Sequence, residues 1–558
     1  MKIKLLPMIL AAALMLVLVT VLACGGDDET PTPATAATTA PQAATAAPQA
    51  ATAAPVAVSD IKRGGTFILG TPQQINTMDP HAHGPVNNEN AKQGLHATHV
   101  RYGVDGAVGP HLFASWEVSS DMKIWDFKIQ QGVKWHNGRD MDAEDNRFSL
   151  QRGIDLESPY AFLYKNVTSV EATDSSTVRI VSPDPTGVLD IAFWKTFIAA
   201  KENVSDAEGG SAGAENDFTN PIGVGPYKFV EFIPGEKVVM DRFEDYWQMG
   251  EDGKNLPYLD RVEVRTISDP TSLLASIKTG DVHFYWQFPA KNFGALEFDK
   301  NAKAYMTEHP TLHFNFAFEH TRTTGDNVFA DVRARRAFAL VIDREALVSV
   351  GYGGLGLPMK TGQWIPSTFP LGPKNFPDIE QDIEEAKRLF AEVGITEVVL
   401  AFYDTPEWTP ISEVLQRNLA DAGVKSTIVI DRVADWQCAL GGGDCGPDWK
   451  WPNMIGVNGA LDPPDPSLHI SPQWICPGTW SGGKYCNEEM DRIGSLASQT
   501  TDQAERAKLY EEWEAIFIKE LPAVSWALTA LYDARHNSLK GIINLFGVPY
   551  YEAAWLDN

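Results

Sequence analysis

Three absences narrow what this chain can be. The first is any sequence-local catalytic motif. There is no G-x-S-x-G elbow, no H-E-x-x-H and no phosphate loop ending in Gly-Lys-Ser/Thr. The glycines at Gly441-Gly442-Gly443 lack the strand-to-helix context of a phosphate cradle. An enzyme is therefore not expected; a secreted hydrolase would need a constellation that only folding could assemble. The second absence is positive charge: 46 Lys+Arg stand against 73 Asp+Glu, a net charge of -27. That excess repels phosphate backbones and anionic headgroups, so no nucleic-acid partner is expected, and its ordinary role is solubility. The third is cysteine, with 5 in 558 residues. No C-x2-C or neighbouring His pair gives zinc-like spacing. His81 and His83, or His96 and His99, form close pairs, but such pairs are more often structural, so neither a metal nor a cofactor is expected.

What is present begins with an export signal. Lys2 and Lys4 precede an uncharged run from Leu5 to Ala23, a basic region followed by an apolar one. The run is long enough for an uncleaved signal-anchor as well. Val21-Leu22-Ala23-Cys24 resembles a bacterial lipobox, which favours cleavage before Cys24 and acylation of that cysteine. The expected location is the outer face of the cytoplasmic membrane, reached through a lipid anchor. From Glu29 to about Ser59 the chain is nearly all Ala, Thr, Pro and Gln, and a heptad at 41–47 repeats at 48–54. Recurrent proline without hydrophobic periodicity makes this a tether of about thirty residues. The remaining cysteines, Cys438, Cys445, Cys476 and Cys486, allow three connectivities. Local pairing, Cys438 with Cys445 and Cys476 with Cys486, is favoured by the short spans, and disulfides suit an oxidising compartment.

Globular sequence starts near Asp60. Alternation predicts strands at Gly65–Thr71 and Ile124–Ile129, with Trp125, Phe127 and Ile129 on one face, and continues at Val178 and Ile180. Asp142 is a cap for a helix reaching Arg152, and Asp269-Pro270 opens another that stops at Gly280. Farther on, a helix from about Gln381 to Gly394, the strand Glu397–Tyr403, a helix from Thr409 to Gly423 and the strand Ser426–Ile430 form a parallel crossover unit. A last helix, about Asp502 to Glu520, is expected to bury Leu509, Trp513, Ile516 and Phe517.

Several segments then occur in a telling order. Arg63-Gly64-Gly65-Thr66 and Met78-Asp79-Pro80-His81 come first, then Leu112 to Val118, Gly132-Val133-Lys134-Trp135-His136-Asn137-Gly138 and Ala143-Glu144-Asp145. Gly223 to Tyr227, Asp245-Tyr246-Trp247, Asp331 to Arg335 with Ile342 to Glu345, and Tyr485, Asn487 and Asp491 follow. Together they resemble the family 5 extracellular solute-binding proteins of peptide/nickel uptake systems, over essentially all residues from 63 onward. Gly280-Asp281-Val282-His283 departs from that pattern, which carries a second Asp at the last position.

The resemblance implies an α/β, two-lobed periplasmic-binding-protein-like fold of class II type, with an extra domain in the first lobe. The implied division is a signal peptide at 1–23, the anchored linker at 24–59, lobe 1 at 60–98, 218–306 and 524–558, the extra domain at 99–217, and lobe 2 at 307–523. It also implies a monomer that delivers its ligand from an interdomain cleft to the permease subunits of an ABC importer. A purely structural or sensory surface protein would lack such a cleft. In peptide-binding relatives a carboxylate before a Pro-x-Ser-like turn pairs with the peptide's amino terminus, which points here to Asp462, then Asp465, with Asn458 beside them. Among 16 tryptophans, Trp286, Trp408 and Trp436 lie in candidate loops where they could pack against a ligand. Short peptides rank first as ligand, oligosaccharides second and a nickel complex third.

Overall fold

Alternating apolar residues become strands with one buried face. In Ile124–Ile129 the side chains of Trp125, Phe127 and Ile129 are buried while their neighbours face outward. A computed structural model describes residues 61–557 except 73, 82–87, 105, 157, 159–160, 162–163, 165, 205–219, 308–311, 319, 321–326, 404, 406, 432–452, 461–464 and 477–484. Three sheets of four or more strands organise these residues.

The first sheet has seven strands, in the order Ala302–Met306, Tyr532–His536, Phe284–Trp286, Thr66–Thr71, Arg261–Thr266, Lys237–Arg242 and Tyr227–Ile233. The second has six, in the order Leu357–Pro358, Ala523–Thr529, Leu312–Phe318, Met454–Ala460, Glu397–Tyr403 and Lys425–Asp431. The third is a four-stranded antiparallel sheet of Phe113–Val118, Ile124–Ile129, Thr177–Val181 and Ser169–Asp174. In the second sheet Glu397–Tyr403 and Lys425–Asp431 pair in parallel, with Glu397 opposite Lys425. The helix Trp408–Asp421 connects them, which is the crossover unit read from the sequence.

The first and second sheets share a two-strand ribbon. Met306 pairs with Tyr532 in one sheet and Leu312 with Thr529 in the other. Between these pairs the Thr307 N–H donates to the Leu531 carbonyl at 2.9 Å. The chain thus crosses between the sheets twice, side by side, the geometry of a hinge. One boundary shifts from expectation. Ala523–Thr529 belongs to the second sheet because it pairs with Leu312–Phe318, so the return crossing lies at 530–531 and not at 524.

Local signals set the helices. Asp142 caps Ala143–Asp155 in a reciprocal capping box with Asp145. Asp269 and Asp382 cap Pro270–Thr279 and Ile383–Val393. The last helix, Gln503–Glu520, differs from its expected packing. Trp513 and Phe517 are buried as read, but Leu509 and Ile516 are only partly covered. The inward stripe is instead shared with Arg506, Tyr510 and Glu514, spaced four residues apart, because each satisfies a buried polar partner.

Candidate functional site

Most of the motif residues hold the fold rather than a ligand. Asp79 takes both forks of Arg152 at 2.9 and 2.7 Å and also accepts the His81 N–H. Burial raises the Asp79 carboxyl, but the Arg152 hydrogen bonds and charge outweigh it and hold the pKa below the usual value. This ties the loop after the first strand to the helix Ala143–Asp155. Asp145 receives the Trp135 indole N–H at 3.0 Å and a bidentate Arg139. His136 donates to the Gly225 carbonyl and accepts the Gly223 N–H, joining two motifs distant in sequence. A Cβ at Gly223 would lie 1.7 Å from the Leu95 carbonyl oxygen, so only glycine permits that backbone approach. His283, where the resemblance leads one to expect Asp, accepts the Ile68 N–H through Nδ1 at 3.0 Å. A carboxylate oxygen could do the same.

His81 and His99 also hold the fold. His81 donates to the Phe197 carbonyl and His99 to that of Thr196. Burial holds His81 and His96 at about 3 and His99 at about 4, so all are neutral near pH 7. His83 lies outside the described residues. Among the described residues no group of three or more His, Cys, Asp or Glu could hold a metal ion.

One polar cluster is of a different kind. On the side of the second sheet, Arg506 Nη2 donates to Asp465 Oδ1 at 2.7 Å, Ser467 Oγ at 2.8 Å and Tyr510 Oη at 2.9 Å. Asp465 Oδ1 also accepts the Ser467 N–H, fixing the turn into the helix Ser467–Trp474. Its other oxygen makes no hydrogen bond among the described residues, and the side chain keeps 12% exposure. The charge of Asp465 also bears on Tyr102 and Asp190. Asp190 lies in the short helix Leu189–Ala192, partly buried, with Oδ1 on the Ile191 N–H. Burial, with the charge of Asp465 adding, pushes its carboxyl up to about 6. Leu468, from the helix that Asp465 leads into, joins the same apolar core as Tyr102, Leu189 and Ala192.

Residues 107–476 match the family described as bacterial extracellular solute-binding proteins, family 5, middle. The chain belongs to this family. It is 26% identical over 442 residues to the glutathione-binding protein GsiB of Shigella boydii, covering 77% of this chain and 82% of that one. Among solved structures it resembles the DppA periplasmic binding protein of Helicobacter pylori in complex with the peptide STSA. There the TM-score is 0.76 at 20% identity, over 89% of this chain and 99% of the other. It also resembles NikA of Staphylococcus aureus in complex with Ni(L-His)2, with a TM-score of 0.71 at 19% identity over 87% and 97% of the two chains. The protein is thus a solute-binding component of an ABC importer, from a transport family whose members work outside the cytoplasm.

Of the ligand contacts expected for this binding protein, Asp465 sits in the cluster just described. Asp462 and Trp436 lie outside the described residues, as do Cys24, Cys438 and Cys445. Asn458 pairs through its backbone with Phe314 in the middle of the second sheet; its side chain is outside the described set. Trp286 and Trp408 require correction. Trp286 is in a strand, not a loop, 2% exposed, and its indole N–H donates to the Gly547 carbonyl. Trp408 opens a helix, is 1% exposed, and packs against Phe314, Phe402 and Trp526. Both are core residues, since closing the sheets around large rings buries more apolar area than a cleft wall would. Cys476 and Cys486 form a disulfide with Cα atoms 5.7 Å apart, and Asp491 accepts the Cys476 N–H. The sequence reading missed Arg506 and Tyr510. Only the Arg506–Tyr510 spacing of four on a helix was a usable signal. Among the described residues no helix is long and apolar enough to cross a membrane.

Proposed function

We propose that this protein captures a short peptide between its two large sheets and hands it to the permease of its importer. The observation that carries this reading is Asp465. Its carboxylate is held rigid by Ser467 and Arg506 yet keeps one oxygen without a hydrogen bond among the described residues, beside the segment that includes Asp462. A pre-oriented carboxylate in a confined site suits the ammonium of a peptide's amino terminus, while backbone groups would satisfy the rest of the chain. Ligand contacts made on both sides of the hinge favour the closed form, and closure is the signal an importer can read. One relative named as a glutathione-binding protein and another in complex with a peptide support the same reading.

Anchoring through Cys24 and its tether completes the proposal: cleavage at the lipobox-like Val21-Leu22-Ala23-Cys24 leaves an acylated cysteine and a spacer that gives the domain reach. Native mass spectrometry of the protein as purified tests the ligand. A released mass that sequences as a peptide is expected; a sugar or a metal complex would overturn the peptide reading. Replacing Cys24→Ser is expected to move the protein from the membrane to the soluble fraction, and retention in the membrane fraction would refute lipid anchoring.

A further inference from the structure

We propose that Gly187 is a latch for the closed form: its backbone docks on the turn between the helices Glu488–Ser498 and Gln503–Glu520, on the other side of the hinge. This rests on the capture reading above and deepens it, by naming a contact that holds the two sides together around a ligand. The sides are set by what each helix and sheet is fastened to. The four-stranded sheet goes with the first sheet, because Arg152 grips Asp79 and His136 bridges Gly223 and Gly225, just before the strand Tyr227–Ile233. The two helices go with the second sheet, since Met490, Ile493, Tyr510, Trp513 and Phe517 share one apolar cluster with its strands.

Between these sides the Gly187 N–H donates to the Ser498 carbonyl at 2.8 Å. The last carbonyls of a helix have no partner within it, so this bond supplies one to the end of Glu488–Ser498. A Cβ at Gly187 would lie 2.5 Å from both the carbonyl carbon and the oxygen of Thr500, and 3.0 Å from its nitrogen. The two backbones therefore meet with no room for a side chain. The φ of Gly187 is outside the left-handed region, so its own turn does not demand glycine; the partner across the hinge does. Alanine at 187 leaves each side unstrained when they are apart and obstructs only their meeting.

Both halves of the latch are held in shape by their own side. The Thr186 N–H donates to the Met122 carbonyl at 3.0 Å, and the Thr186 carbonyl accepts the Trp125 indole N–H at 3.1 Å, which pins the neighbour of Gly187 to the four-stranded sheet. Opposite, the Thr500 hydroxyl accepts the Asp502 N–H at 3.1 Å, and Asp502 caps the last helix. The same turn reaches the proposed ligand carboxylate: Arg506 donates through Nε to the Ala497 carbonyl at 3.1 Å and through Nη2 to Asp465 at 2.7 Å. Leu468, three residues after Asp465, makes a second crossing, since it belongs to the apolar cluster of Leu189 and Ala192. Surfaces already ordered lose little conformational entropy when they dock, so a hydrogen bond and one buried leucine count nearly in full toward the closed form.

The test uses the full-length protein and a mixed tripeptide library, with retained peptides counted by mass spectrometry and small-angle X-ray scattering as the second readout. Gly294→Ala is the control, because a Cβ there has no atom within 4 Å. Ligand-free Gly187→Ala is expected to keep the wild-type melting temperature, to retain about tenfold less peptide and, with the library present, to scatter as a more extended particle than wild type. Gly294→Ala should match wild type in all three. Wild-type retention and an identical profile in Gly187→Ala overturn the latch. Should Gly187→Ala fail to fold, hydrogen exchange over 186–188 in wild type decides: slowing on addition of the library supports the latch, and unchanged exchange overturns it. If wild type retains no tripeptide, the peptide reading has failed on its own, and scattering of the proteins as purified decides: a more extended Gly187→Ala supports the latch, and a profile identical to wild type overturns it.

Discussion

Two buried Asp–Arg pairs can be compared in this protein, and they are built for different work. In the pair of Asp79 and Arg152 both carboxylate oxygens are engaged by the guanidinium and one also by a backbone N–H, with side chains 6% and 4% exposed. In the pair of Asp465 and Arg506 only one carboxylate oxygen is engaged among the described residues, and the aspartate side chain keeps 12% exposure. The first is a closed unit that fastens a loop to a helix. The second is a half-used acceptor fixed in place by its neighbours. Both aspartates sit in stretches that the family resemblance singles out, so membership in a motif does not distinguish a clasp from a proposed ligand contact.

The largest effect should come from breaking the closed pair. Arg152→Ala leaves the Asp79 charge buried without its partner and is expected to cost about 3–5 kcal/mol of stability, read as a shift in denaturant midpoint. Because Asp79 is held below its usual pKa, the contribution of this pair is present above about pH 4 and is lost as pH falls below that. A midpoint that stays put in Arg152→Ala would mean the clasp is not what joins the two segments.

Glu514 gives the next largest effect with the opposite pH sign. It is fully buried, accepts the backbone N–H groups of Trp364 and Ile365 at 2.7 and 2.8 Å, and burial pushes its carboxyl up to about 8. The folded state therefore holds this proton more tightly than the unfolded chain, so its contribution to stability declines as pH rises from about 4 to about 8. Glu514→Ala strands two N–H groups and is expected to cost about 2–4 kcal/mol; hydrogen exchange at Trp364 and Ile365 should accelerate, and unaltered protection there would refute the contact's role. Smallest is His283→Asp, which restores the residue of the family pattern and keeps an acceptor for the Ile68 N–H. It should change the denaturant midpoint by less than about 1 kcal/mol, and a much larger loss would show that the imidazole does more than accept that bond.

Sequence made the regular parts of the fold legible where a local signal existed. Asp142 with Asp145, Asp382 with Gly394, and the two parallel strands around Trp408–Asp421 all carry their own caps, stops and periods. The last helix shows the limit. Its apolar residues suggested a stripe through Leu509 and Ile516, but burial follows Arg506, Tyr510 and Glu514, whose partners come from distant turns. Trp286 and Trp408 show a related limit, since size alone does not say whether an aromatic ring meets a ligand or a core. The Asp465 cluster was the least legible, because Asp465 and Arg506 stand 41 residues apart and meet only when the turn before Ser467–Trp474 packs on the last helix.

Peptide affinity in Asp465→Asn measures most directly whether Asp465 is a ligand group or another clasp. Asparagine keeps an acceptor for the Ser467 N–H and for Arg506, so the fold should remain while the charge that meets the ammonium is lost. For a peptide recovered from the purified protein, calorimetry is expected to show binding weakened at least tenfold, about 1.4 kcal/mol or more, with little change in the melting temperature. Affinity equal to wild type for that same peptide would contradict a ligand role and return Asp465 to the company of Asp79.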